Sequence, residues 1–304
     1  MEHEDDYETV EYNKEDILKA GKISIEVKKF ARSFIKKDMK LLEIAEKIED
    51  KIFELGGEVA FPTNLSIDEI AAHYTPSYDD ESLAHGLLKV DLGVHINGWT
   101  ADTALTIDLE DNEENKKLIE AAESAVQNVL EKIDSDSTLG EIGEIVERTI
   151  NEKGFSPIIN LSGHSMEEYD LHSGITIPNI DNGSTEILGE GLFAIEPFAT
   201  NGNGKVNDGS PSGIYALIDP KNVRGPIARE ILDYIAEKHV NLPFCSRWLV
   251  KKFGTRALLG LRQLEANGNL HHFNQLVESG KGKVAQAEHT VFIENGKTII
   301  TSKD

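Results

Sequence analysis

The chain has little cysteine, few basic residues relative to acids, and no long apolar run. Each shortage closes off a class of protein. One cysteine, Cys245, cannot build an internal disulfide framework and suits a reducing, cytoplasmic setting. Lys and Arg number 31 against 54 Asp and Glu, so the net charge is −23. Such a surface repels phosphate backbones and anionic lipid, which argues against nucleic-acid and membrane partners. No apolar stretch approaches the roughly 18 residues that a membrane span needs. The opening segment, MEHEDDYETVEYNKED, is acidic and lacks the apolar centre of a secretory signal. What remains is a soluble globular protein with 39% hydrophobic residues.

The stretch with the clearest internal logic is Lys89 to Thr106, KVDLGVHINGWTADTALT. Asn97-Gly98 is a turn signal for a two-residue hairpin, because a type I′ turn needs positive φ at both positions. Pairing Ile96 with Trp99 puts Asp102 opposite Gly93 and Asp91 opposite Ala104. Side chains alternate along a strand, so Asp91 and Asp102 share a face as diagonal neighbours roughly 7–8 Å apart. Carboxylates at that separation can converge on a metal pair about 3.5–4 Å apart. Two solvated acids on an exposed hairpin would read the same way in so acidic a chain. The opposite face, Val90, Leu92, Val94, Leu105 and Ile107, is apolar and expected to be buried, and Gly93 should leave the space beside Asp102 free of side chain.

Residues 1–13 read as a flexible, acidic start. Helices are expected over 15–35 and 40–55. The second is the cleaner, with Leu41, Ile44, Ala45, Ile48, Ile52 and Leu55 at helical spacing before Gly56-Gly57. An extended segment over 59–67 and a loop over 74–81 lead into the hairpin. The order then returns, with helices over 115–133 and 139–153 and strands over 155–161 and 192–199. A last hairpin over 288–301 turns at Asn295-Gly296. Two helices followed by β structure, occurring twice, imply two similar halves on a shared sheet. Residues 215–285 interrupt this as an all-helical insertion within one domain spanning 1–304.

Three further segments carry isolated acids or histidines in β context: His164 after Gly163, Glu196 within FAIEPFA, and Glu288 at the head of a strand. Taken singly, each has a plain structural alternative: a core histidine, a buried ion pair, a strand-end charge. Together with Asp91 and Asp102 they form a set of four carboxylates and one imidazole without a thiolate. That set suits a pair of divalent ions such as Mn, Fe, Co or Zn, which would activate a water and polarise a carbonyl.

These segments resemble the type 2 methionine aminopeptidases of the pita-bread fold, in their archaeal form. The matching stretches are FPTNLS (61–66), AAHYTP (71–76), DLGVHINGWTADTALT (91–106), SGHSMEEYDLHSGITIP (162–178), IEPFATNGNGKV (195–206) and AEHTVFI (287–293). The resemblance implies an α+β fold of two pseudo-symmetric halves around a curved antiparallel sheet, with 215–285 as the helical insertion of type 2 enzymes. It implies metal ligands at Asp91, Asp102, His164, Glu196 and Glu288, with Glu196 also shuttling a proton. His73 and His172 are implied as active-site histidines that touch the substrate, and Phe61 as a wall of the methionine pocket. Ile214 stands where eukaryotic members carry a histidine. The implied activity is removal of the initiator methionine from nascent polypeptides with a small second residue, by a cytoplasmic monomer carrying two divalent ions. An Xaa-Pro peptidase of the same fold is the nearest rival, and GHSMEEYDLH and the insertion argue against it. A non-catalytic binding protein of this fold would have lost ligands that are all present here.

Overall fold

The computed structural model describes residues 10–303. It begins with two helices, α1 (Lys14–Phe34) and α2 (Leu41–Glu54), followed by strands β1 (Glu58–Ile67) and β2 (Ile70–Ala72). The hairpin β3 (Leu87–Ile96) and β4 (Trp99–Asp108) completes this half. The second half opens with α3 (Glu113–Leu130) and α4 (Leu139–Glu152). It continues through β5 (Ser156–Pro157), β6 (Ser162–Met166), β7 (Thr176–Pro178), β8 (Gly191–Ile195) and β9 (Phe198–Thr200). Next come β10 (Val206–Leu217), α5 (Pro226–Lys238), β11 (Phe244–Cys245), α6 (Ser246–Phe253) and α7 (Ala257–Ala266). The chain closes with β12 (Leu270–Glu278), β13 (Val284–Gln286), β14 (His289–Glu294) and β15 (Lys297–Ile300).

Each half buries its helix pair under its own strands. The apolar stripe of α2, from Leu41 to Ile52, packs with α1 beneath β1, β3 and β4. The helices α3 and α4 do the same beneath β8 and β14. A capping box holds the start of α4, where the Thr138 side chain accepts from Glu141 N–H and the Glu141 carboxylate accepts from Thr138 N–H. The buried stripe of α1 is made of small residues, Ala20, Gly21, Ser24 and Ala31, beside Ile17, Ile23 and Val27. That explains why its large apolar residues, Leu18, Phe30 and Phe34, keep imperfect helical spacing: they lie at the edge of the buried face. A Cβ on Gly21 would stand 2.3 Å from the Thr301 carbonyl oxygen, so α1 sits directly against the C-terminal segment.

Every strand pairing is antiparallel. Strands order as β1-β3-β4 in one sheet and β15-β14-β8-β6-β7 in another. The two meet along β4 and the β13–β14 segment, where threonine hydroxyls carry much of the hydrogen bonding. Thr103 donates to the Glu288 carbonyl at 2.8 Å, Thr106 to the Gln286 carbonyl at 2.7 Å, and Thr290 to the Asp102 carbonyl at 2.7 Å. Asp102 and Glu288 thus face each other across the seam between the halves.

Three expectations change. The segment 215–285 is helical only in its middle: α5, α6 and α7 are flanked by β10 and β12, which pair with each other and with β11 and β2. The residues of β12 keep the long-range register Ala216 to His271, which helical spacing rules cannot anticipate. The strand expected over 192–199 breaks into β8 and β9 at Glu196-Pro197, since proline cannot donate to a ladder. Only residues 156–157 of the strand expected over 155–161 pair. Residues 1–9 of the expected flexible start lie outside the described residues. Within 10–13 the chain is anchored: Asn13 caps α1, and the Tyr12 ring packs 5.4 Å from Trp99 and 5.6 Å from Phe292.

Candidate metal centre and active-site cavity

The hairpin folds in the register its turn dictates. Asn97 and Gly98 take φ of 49° and 88°, Ile96 pairs with Trp99, Gly93 with Asp102 and Asp91 with Ala104. Asp91 and Asp102 line one cavity of about 290 Å³, together with His164, Glu196 and Glu288. His164 comes from β6, beside β8, and Glu196 from the break after β8. His164 Nε2 lies 3.6 Å from an Asp102 carboxylate oxygen and 3.6 Å from one of Glu196. Ligand atoms of Asp102, His164 and Glu288 all fall within 4.8 Å of one another. Glu288 is 1% exposed and Asp102 4%.

Acids so close and so buried resist ionisation. Desolvation, reinforced by the neighbouring carboxylates, raises Asp102, Glu196 and Glu288 well above the usual carboxylate range. Burial lifts Asp91 to about 7. Burial pushes His164 down to about 3, so its imidazole is neutral and can donate a lone pair. One oxygen each of Asp91, Asp102 and Glu288 is buried without a hydrogen-bond partner. Buried polar atoms are almost always partnered, and carboxylates left open beside a neutral imidazole are the donor chemistry of a divalent cation. The residues therefore fit the metal ions implied by the resemblance.

His73 and His172 line the same cavity. His73 follows β2 and takes φ of 63°, in the left-handed region that non-glycine residues rarely adopt. Its Nδ1 lies 3.2 Å from the Asn274 carbonyl oxygen, and burial lowers its pKa to about 4. A carbonyl can only accept, so the proton of the neutral ring belongs on Nδ1 and Nε2 is left with a lone pair. His172 is exposed on the cavity wall with its ring 4.3 Å from that of His164. Phe61 is 5% exposed and also lines the cavity. The expectation that Gly93 leaves free space is overturned: the Phe61 ring fills it, 2.3 Å from where a Cβ would stand. The remaining apolar wall includes Leu171, Ile214, Pro243, Phe273 and Leu276.

Sequence reasoning missed two polar residues here. Asn64 pairs with Asp91 across β1 and β3 and lines the cavity. Gln286 places its Nε2 3.4 Å from an Asp91 oxygen. Strand alternation in QAEHTV could have found Gln286, two residues before Glu288, whereas Asn64 stands three residues after Phe61 and reaches the same side only through the register shift in β1. Phe273 and Leu276 sit in β12, within the segment expected to be helical, so no sequence signal pointed to them. His289 turns to the other side of β14, with Nδ1 3.1 Å from the Ser302 carbonyl oxygen. His95 accepts from the Gly98 N–H through Nδ1 and contacts Tyr169, not the acids.

The model of metallopeptidase family M24 matches residues 15–295. A methionine aminopeptidase of Methanocaldococcus jannaschii is 44% identical over 291 residues, covering 94% of this chain and 98% of the relative. Among solved structures, a thermophilic Arx1 superposes with a TM-score of 0.82 at 16% identity, covering 94% of this chain and 89% of that one. The methionine aminopeptidase of Thermotoga maritima superposes at 0.69 with 19% identity, covering 97% and 100%. The two structures show the shared pita-bread fold. The family match and the relative, over nearly the whole length and across every segment that lines the cavity, show that the chain belongs to metallopeptidase family M24.

Proposed function

We propose that this metallopeptidase is a methionine aminopeptidase that removes the N-terminal methionine from nascent polypeptides with a small second residue. The observation that carries the reading is the set of unpartnered, buried carboxylate oxygens at the floor of a cavity with apolar walls. Two divalent cations held by Asp91, Asp102, His164, Glu196 and Glu288 would supply a Lewis acid and a water acidic enough to ionise near neutrality, and Co, Mn, Fe and Zn all suit the donor set.

The chain's own groups do the rest. Phe61, Ile214, Phe273 and Leu276 offer an apolar surface to an unbranched thioether side chain. Such a pocket discriminates by about 1–3 kcal/mol per methylene, so norleucine is accepted weakly and a charged first residue is rejected. His73 keeps its proton on Nδ1, so its Nε2 accepts the N–H of the scissile amide and fixes that bond's orientation. His172 hydrogen-bonds the carbonyl oxygen as charge develops on it. Glu196 takes the proton of the attacking water and returns it to the leaving amine. The chain acts as a monomer in the cytoplasm, without nucleic acid or membrane.

The deciding measurement is methionine release from Met-Gly-Met and Met-Pro peptides, set beside cleavage of Ala-Pro, with each divalent metal and with chelator. Methionine release that depends on metal is the expected result. Faster cleavage of Ala-Pro than of Met-Gly-Met would make the protein an Xaa-Pro peptidase, and full activity in excess chelator would remove the metal ions from the reading.

A further inference from the structure

A second buried charge cluster lies outside the cavity and ties the helical insertion to it. Arg247, in α6, is 3% exposed, and Glu49, in α2, is 5% exposed. The guanidinium binds both carboxylate oxygens, at 2.7 and 2.9 Å. Trp248 Nε1 donates to the same carboxylate at 2.8 Å. Both ions then reach further, into the two segments that deliver cavity residues. Arg247 Nε donates to the Pro76 carbonyl at 3.0 Å, and Nη2 to the Thr75 hydroxyl at 3.3 Å. These residues follow His73 by three and two positions. The Thr75 hydroxyl donates to the Thr63 carbonyl at 2.9 Å, and Glu49 accepts from the Thr63 N–H at 3.3 Å. Thr63 stands two residues after Phe61, inside the register shift of β1 between Phe61 and Asn64.

His73 occupies a left-handed conformation that survives only where its surroundings over-determine it. Its ring is held on one side by the Asn274 carbonyl of β12. The chain after it is held by Arg247. A planar fork with five donors fixes direction as well as distance, which neither an apolar contact nor an ammonium can reproduce. Packing alone does not call for an ion pair here, since buried pairs are often replaceable by apolar residues without loss of stability.

We propose that Arg247 and Glu49 are positioning residues for peptide hydrolysis: through loop 73–76 and the Thr63 edge of β1 they set where His73 and Phe61 meet the substrate. The inference rests on the methionine aminopeptidase reading for its activity readout, but the clamp itself has an independent one. The insertion, on this account, takes part in placing the catalytic loop and is more than a border of the cavity.

The test compares the metal-loaded full chain with the double variant Glu49→Met/Arg247→Met and with Arg247→Lys. Four quantities are read on each preparation: melting temperature, metal content, kcat and KM for Met-Gly-Met, and amide hydrogen exchange of residues 73–75. Either single apolar variant strands a buried charge and can fail to fold; the double variant removes both charges. The expected double variant melts close to wild type and holds a full metal complement. Its kcat falls by about 10–100-fold, the scale of an ångström-level misplacement, KM moves less than about threefold, and residues 73–75 exchange faster. Arg247→Lys keeps the charge beside Glu49 but cannot hold Pro76 and Thr75 at once, so it shows the same signature in smaller degree. It decides the matter if the double variant does not fold. Wild-type kcat together with unchanged exchange in a folded variant overturns the proposal, as does a loss of kcat explained wholly by lost metal. Should the wild-type protein release no methionine with any metal, the functional reading fails, and the exchange of 73–75 alone then upholds or overturns the clamp.

Discussion

Two clusters of buried charge sit on either side of the His73 loop, and they are built on opposite principles. In the first, Glu49 and Arg247 satisfy each other, and their remaining hydrogen-bonding capacity is spent on Trp248, Thr63, Thr75 and Pro76. In the second, four carboxylates crowd around one neutral imidazole, and oxygens of Asp91, Asp102 and Glu288 have no partner. Burying an ion costs several kcal/mol unless it is paired and hydrogen-bonded. The first cluster meets that cost internally and fixes geometry. The second leaves it open, which is the condition for binding cations from outside. Self-sufficiency suits a cluster that holds geometry; incompleteness suits one that takes up cations.

The contrast breaks most sharply at Asp102. Asp102→Asn removes one of the acids at the seam and is expected to lower kcat/KM by about 10³-fold or more, the several kcal/mol that metal-borne charge stabilisation supplies. Metal content measured on the purified protein should fall with it. In chelator the order of stability reverses. The variant should then melt above wild type, because one member of a mutually repelling set is gone. Wild-type turnover, or a lower melting temperature than wild type in chelator, would contradict the account of the acidic cluster.

His73→Ala separates catalysis from metal binding. Loss of such a hydrogen-bonding group costs about 10²–10⁴ in rate, and kcat/KM should fall by that order with metal content unchanged. The left-handed φ remains, since alanine carries a Cβ as histidine does, so the fall in melting temperature should be limited to the lost hydrogen bond to the Asn274 carbonyl, about 1 kcal/mol. A variant that has simply lost its metals would take His73 out of the catalytic assignment.

Glu49→Ala probes the self-sufficient cluster. It leaves the Arg247 guanidinium buried without its counter-ion, a change worth about 3–5 kcal/mol. Denaturant unfolding should register that loss, while the folded fraction still takes up its full metal complement. The smallest effect is expected at Gly93→Ala. A Cβ there meets the Phe61 ring at 2.3 Å, and overpacking of this kind costs about 1–3 kcal/mol. Because Phe61 must move, KM for methionine peptides should rise more than kcat falls. An unchanged KM would show that Phe61 does not shape the methionine pocket.

Legibility followed the range of the interactions. The β3–β4 hairpin could be read residue by residue, since a two-residue turn sets the register of everything beyond it. The helix α2 was equally plain, because its stripe from Leu41 to Ile52 repeats at the helical period. The strand β12 was not, for its pairing with β10 joins residues about 70 positions apart in cases such as Val206 and Glu278. Gln286 was legible in principle, by alternation from Glu288; Asn64 was not, because a register shift in β1 sets its place opposite Asp91, and Phe273 and Leu276 were hidden by the mistaken helical reading of their segment.

By itself the sequence determined the chemistry on offer: four acids and one histidine in β context, a turn that pairs Asp91 and Asp102 on one face, and a composition without disulfides or membrane spans. Those properties depend on residue type and local geometry, which the chain carries before it folds. Only the tertiary structure decided that His164, Glu196 and Glu288 join the hairpin acids across a threonine-stitched seam. It alone put the Phe61 ring in the space above Gly93, and it alone brought an arginine from the insertion to hold the loop that bears His73. These are contacts between residues far apart in sequence, set by how two halves and an insertion pack, and no local period or turn encodes them.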